Sequence, residues 1–257
     1  MKPIRVFALL ALAAALGACA DEESSYVERP PEQLYNEAMD LLEARRYEQA
    51  ALAFDEVERQ HPYSLWATES QLMAAFANYS ENKYDEAVIA ARRFIQLHPG
   101  HPDVAYAYYL IGVSYYEQIS DVGRDQGATQ QALAAFDELV RRFPDTDYAR
   151  DARQKIVFTR DHLAGKEMEV GRYYLRHKQY IAAIGRFRAV VERYTRTTHV
   201  PEALHRLVES YLALGMIEEA QRTAAVLGYN FPNSEWYSDT FELMGERTPQ
   251  ALEKPAG

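Results

Sequence analysis

The chain has 257 residues, of which 48% are hydrophobic and 26% charged, and its formal net charge is −10. The apolar share is ample for one or two packed domains, and a mean hydropathy of −0.40 argues against a membrane-embedded body. The acidic balance argues against a nucleic-acid partner, because phosphate neutralisation depends on Lys and Arg.

The first nineteen residues stand apart. Lys2 and Arg5 form a basic n-region before the apolar run 6–16. Those eleven residues fall short of the roughly 20 needed to span a bilayer, so residues 1–18 read as an export signal. The run ends in Leu16-Gly17-Ala18-Cys19, with Cys19 the only cysteine of the chain. Leu, two small residues and Cys resemble the bacterial lipobox. The resemblance implies that the Cys19 thiol carries acyl chains and that Ala20, rather than Asp, at the next position sends the protein to the outer membrane. An ordinary signal peptide ending in a chance Cys is the competing reading; position, spacing and the lack of a second Cys favour the lipoprotein. Loss of residues 1–18 removes Lys2 and Arg5 and no acid, which takes the net charge from −10 to −12. Residues 19–31 are acidic and end in Pro30-Pro31, an extended tether.

From about Glu32 onward one skeleton recurs: an Ala, a large apolar residue seven later, and Pro twelve later. The keyed alanines are Ala50, Ala87, Ala132, Ala183 and Ala220, and the twelfth residues are Pro62, Pro99, Pro144, Thr195 and Pro232. Proline stops the second helix of each pair. Small residues at Ala38, Ala75, Gly112 and Gly171 let the first helix approach it, while Phe54, Phe136 and Phe187 fill the space between units. The fifth unit departs, with Val208 where a small residue is expected. Predicted helices are 34–44, 47–60, 71–79 and 84–97, joined by turns short enough to force antiparallel neighbours. The pattern resembles the tetratricopeptide repeat.

The alanine spacings of 37, 45, 51 and 37 locate two enlargements. One is a Gly- and Asp-rich loop over 120–129. The other lies between Pro144 and Gly171, where residues 148–174 read as one long helix. The expected fold is therefore an all-α, right-handed superhelix of five tetratricopeptide-like pairs in two lobes joined by a long helix. Residues 32–146 form the first lobe and 147–246 the second, and 247–257 form a disordered tail.

No phosphate loop, nucleophile elbow or H-E-x-x-H pattern occurs, so catalysis, a cofactor and a metal are not expected. His98 and His101 form the only dense histidine pair, with no third ligand at a useful sequence spacing. The tetratricopeptide register instead places Tyr35, Met39, Leu72, Phe76, Tyr79, Tyr106, Tyr109 and Tyr116 in a groove bordered by Glu32, Glu43, Glu69 and Glu117. Tyrosine combines contact area with a polar edge, which suits peptide recognition. The same residues could equally be inter-repeat core. The second lobe carries Arg172, Arg176, Arg186, Arg188 and Arg193, either a solvated face or a site for an acidic partner.

An acylated Cys, a tether and five such units with these two enlargements resemble the BamD (ComL) family of the outer-membrane β-barrel assembly machinery. The segment 54–99, with HPYSLWATESQLMAAFANY between two second helices, carries the closest match; Thr195 in place of Pro departs from it. The resemblance implies a lipid-anchored protein on the periplasmic face of the outer membrane. Its second lobe would dock on the barrel-forming subunit, BamA, alongside other lipoproteins of the complex. Its first lobe would face unfolded outer-membrane proteins. An envelope scaffold that links peptidoglycan or a division complex to the membrane is the alternative.

Overall fold

The computed structural model describes residues 28–247; the signal segment, Cys19 and residues 248–257 lie outside them. Within them are eleven helices and no strand. They are α1 (Pro31–Glu43), α2 (Tyr47–Gln60), α3 (Leu65–Ser80), α4 (Tyr84–Leu97), α5 (Val104–Glu117), α6 (Gly127–Arg142), α7 (Asp147–Arg176), α8 (Tyr180–Arg193), α9 (Val200–Ala213), α10 (Ile217–Asn230) and α11 (Glu235–Arg247). Each packs on its successor, giving five antiparallel pairs and a closing helix, α11, that the repeat skeleton did not reveal.

The alanines and small residues act as the spacing implies, whereas Phe54, Phe136 and Phe187, expected between units, pack against the first helix of their own unit. All five keyed alanines are fully buried. Phe136 lies where a Cβ on Gly112 would stand, and Phe187 does the same to Gly171, so each glycine exists to admit a ring from the second helix. Phe54 shares a cluster with Ala38. The fifth unit reverses the assignment: buried Val208 on the first helix belongs to one cluster with Ala224, which stands where the first, third and fourth units carry Phe.

Helix ends repeat as well. The residues before Pro62, Pro99, Pro144, Thr195 and Pro232 all close their helix with φ between −135° and −121° and ψ between 44° and 59°. Thr195 therefore ends α8 as a proline would, because the preceding Tyr194 adopts the same extended turn. Within pairs, Arg45, Asn82, Lys178 and Gly215 take the left-handed conformation one residue past the cap. The paired bonds Arg46 N–H to Leu41 O and Arg45 N–H to Leu42 O form the Schellman closure. The third unit lacks this turn, and the expected loop stands in its place at residues 118–126.

Two predicted boundaries move. Helix α3 begins at Leu65 rather than 71, because the Ser64 hydroxyl caps it by accepting Ala67 N–H at 3.1 Å. The long helix α7 runs 30 residues from a Thr146 cap, about 45 Å at the standard rise. The odd helices α1, α3, α5 and α7 touch in succession, whereas α2, α4 and α6 make no comparable contacts with one another, so the odd helices form the tighter, inner layer. That layer has its gap between α7 and α9, where an Arg172–Glu202 pair at 2.9 Å bridges the helices.

Candidate aromatic face and arginine pocket

The inner faces of α3, α5 and the first half of α7 carry a row of rings. Phe76 and Tyr106 lie 6.5 Å apart between centroids. Tyr148 of α7 sits 5.2 Å from Tyr106 and 5.4 Å from Tyr109. Tyr116 meets Phe158 at 5.7 Å, and Phe158 stacks on His162, whose Nε2 donates to the Ser120 carbonyl of the loop at 2.9 Å. On α7 the residues Tyr148, Asp151, Lys155, Phe158 and His162 follow steps of three and four, which puts them on one side of the helix. Tyr148 is 37% exposed and Phe158 52%, so the row presents ring surface while its α5 members wedge between helices.

A polar line crosses this row. The Tyr109 hydroxyl donates to Asp151 at 2.7 Å, Asp151 pairs with Lys155 at 3.2 Å, and the Lys155 ammonium lies 5.2 Å from the centre of the Tyr116 ring. Burial raises the pKa of Tyr106 and Tyr109, and the bond to Asp151 raises Tyr109 further. Burial and then the Glu117 carboxylate raise Tyr79. These phenols therefore stay neutral and keep a hydrogen to donate.

The expected groove residues divide. Phe76, Tyr106, Tyr109 and Tyr116 join the row half-buried. Tyr79, also half-buried, turns to Tyr84 of α4 at 5.9 Å. Tyr35 packs on Phe54 and Trp66, and Met39 belongs to the same first-unit cluster. Leu72 is a correction: at 4% exposure it is core, since its position on α3 faces the helices of its own and the next unit. Trp66, Tyr148, Asp151, Lys155 and Phe158 escaped the sequence reading. For the α7 residues, the three-and-four spacing was available but fell in the enlarged unit, where the repeat register gives no groove positions.

The expected arginines do not form one surface. Arg172 is bound to Glu202, Arg186 to Glu167, and Arg188 to Tyr211. Arg176 is exposed near the end of α7. Arg193 lines a cavity, of 390 Å³, shared with Arg153, Arg160 and Arg196 and floored by Ile156, Val157 and Tyr194. Asp137, paired with Arg160 at 3.2 Å, is the one acid among its lining residues. Three of these four arginines were missed because they come from the first half of α7 and the α8–α9 turn, outside the repeat register.

The histidine pair has closer acids than the sequence implied. Packing of α3 brings Glu69 to 3.6 Å from His101 Nε2, and Asp103 lies 3.8 Å from Nδ1. His101 Nδ1 accepts the Asp103 N–H at 3.2 Å, so that nitrogen is already engaged within the turn.

Comparison with known proteins fits this architecture. The family described as outer membrane lipoprotein (YfiO) matches residues 27–227. The outer membrane protein assembly factor BamD of Caulobacter vibrioides is 51% identical over 249 residues, covering 95% of this chain and 82% of that protein. The chain belongs to the BamD family. The BamD of Rickettsia prowazekii is 44% identical over 92% of this chain and 95% of its own, and that of Neisseria meningitidis serogroup A 35% over 93% and 95%. The matched span takes in the aromatic face, the arginine pocket and α10 up to Leu227. Among the described residues of this BamD-family chain no helix is long and apolar enough to cross a membrane.

Proposed function

We propose that the chain is a non-enzymatic assembly factor for outer-membrane β-barrel proteins, held on the periplasmic face of the outer membrane by acyl chains on Cys19. Family membership supports the process, and the aromatic face supports the part this chain plays in it. Unfolded barrel precursors present strands of alternating apolar and polar side chains that end in an aromatic residue. A row of half-exposed rings crossed by the Tyr109–Asp151–Lys155 line offers ring contacts and hydrogen-bond partners to such a strand. In this reading Phe76, Tyr106, Tyr109, Tyr116, Tyr148 and Phe158 receive the precursor.

The arginine pocket takes the other role. Among the described residues Arg153, Arg193 and Arg196 find no acid to pair with, on a protein whose net charge is strongly negative. An acidic loop of the barrel-forming subunit, BamA in the family, would fill it, with the other lipoproteins of the complex nearby. The observation that carries the proposal is the aromatic row. Its test is binding of a labelled C-terminal barrel peptide to wild type and to Tyr109→Ala/Phe158→Ala. Unchanged affinity in a folded double variant would remove the assignment. Copurification with a division complex or peptidoglycan, and with no barrel protein, would favour an envelope scaffold instead.

A further inference from the structure

The backbone leaves the folded body at a fixed corner. Arg29 N–H donates to Gln60 Oε1 at 3.0 Å, and His61 Nε2 donates to the Arg29 carbonyl at 2.6 Å. The start of α1 is thereby pinned to the end of α2, immediately before the first inter-unit turn. That turn reads Pro62-Tyr63-Ser64-Leu65, with Tyr63 100% and Leu65 87% exposed.

The repeat supplies its own controls. The positions one and three residues past the turn proline are Gly100 and Pro102, Asp145 and Asp147, Arg196 and Thr198, and Asn233 and Glu235 in the later units. A large apolar or aromatic side chain stands there in the first turn alone. Packing does not explain Tyr63 and Leu65, since both project into solvent, and helix capping is already met by Ser64. The nearby cations are neutralised, Arg29 by Glu37 at 2.5 Å and Arg59 by Glu56 at 2.5 Å. Nine peptide steps separate Cys19 from Glu28, which limits the corner to within about 30 Å of an acylated Cys19.

We infer that Tyr63 and Leu65 form a second membrane contact, seating the first turn in the headgroup region of the bilayer that holds the acyl chains. The inference rests on the lipoprotein reading of Cys19. A tether alone lets the body rotate freely. An aromatic with a polar edge and a leucine beside the tether exit fix which end of the array faces the lipid, at the depth that interfacial side chains occupy. With Arg29 and Arg59 both paired at the corner, the contact comes from apolar burial and is insensitive to anionic lipid content.

The test uses the full acylated chain in phosphatidylethanolamine–phosphatidylglycerol vesicles. An environment-sensitive dye is placed at Leu65→Cys, or at Asp145→Cys in the equivalent turn of the third unit, Cys19 being blocked by its acyl chains. Brominated lipids should quench the label at 65 about twofold and leave 145 unchanged, and lowering the phosphatidylglycerol content should not alter this. Vesicle-bound protein with a water-exposed label at 65, or with both labels quenched alike, overturns the second contact while sparing the anchor. Chains that fail to float with the vesicles overturn both.

Discussion

The aromatic face and the arginine pocket are built on opposite sides of one helix. At 100° per residue, Tyr148, Asp151, Lys155, Phe158 and His162 gather on one side of α7, and Arg153, Ile156, Val157 and Arg160 lie about half a turn away. The aromatic side is assembled with α5 and the pocket with α6 and the α8–α9 turn. Ring contacts are short-ranged and indifferent to ionic strength, whereas guanidinium contacts are screened by salt. A single rigid element thus separates two kinds of recognition, and lengthening it by about four turns is what makes room for both.

The comparison can be broken most strongly at its common foundation. Gly112→Val and Gly171→Val each drive a methyl into a buried ring, so both should destabilise by about 3 kcal/mol in chemical denaturation. A loss confined to one of them would mean that the two halves do not share a packing rule. Next comes the chemistry of the faces. Tyr109→Ala should weaken peptide binding about tenfold with little change between low and high salt. Arg193→Glu/Arg196→Glu should weaken partner binding with a steep salt dependence while leaving peptide affinity untouched. Equal salt slopes would erase the distinction. Thr146→Ala removes the cap of α7, the element both faces depend on, and should lower stability by about 1 kcal/mol.

The smallest expected effect is a pH dependence at the far end. His205 Nδ1 donates to Thr240 Oγ1 at 2.8 Å, since the Thr240 hydrogen is spent on the Trp236 carbonyl at 2.7 Å. Burial, and then Arg206, lower the His205 pKa from its ordinary 6.5. The folded state therefore favours neutral His205. Its contribution is complete above about 6.5 and shrinks as pH falls below that value, when the unfolded chain takes up the proton first. The Tm of wild type should accordingly drop more than that of His205→Asn between neutral and mildly acid pH, with α11 loosening from α9.

The legible parts of the fold were those set by short-range rules. The Ala-to-Pro interval located second helices because burial at one helical position and a stop twelve residues later are both local. The close helix approach at Gly112 and Gly171 was readable because helix pairing is fixed by a short connection or a known insertion; that Phe136 and Phe187 fill that approach was not, since a ring position alone does not say whether it faces its own unit or the next. Leu72 failed because a helix side facing its own partner and one facing the groove differ by a single residue step. Tyr148 and Phe158 escaped because the repeat register does not extend into the first half of α7. The closing helix α11 carries no keyed alanine and therefore gave no signal. Glu69 beside His101 depends on the packing of α3 against the next turn, which no local interval encodes.

The exchange of bulk in the fifth unit has a further consequence. The first helices of units one, three and four are cut to receive a ring from the second helix, and α9, with Val208 fully buried, is cut to receive one bearing Ala224. The units look alike but are keyed. A chimera that places α10 against α7, or α8 against α9, would leave a void in the first case and a collision in the second. Insertions that keep each matched pair intact are thereby the tolerated ones, and both enlargements, the loop at residues 118–126 and the added turns of α7, leave Gly112 against Phe136 and Gly171 against Phe187.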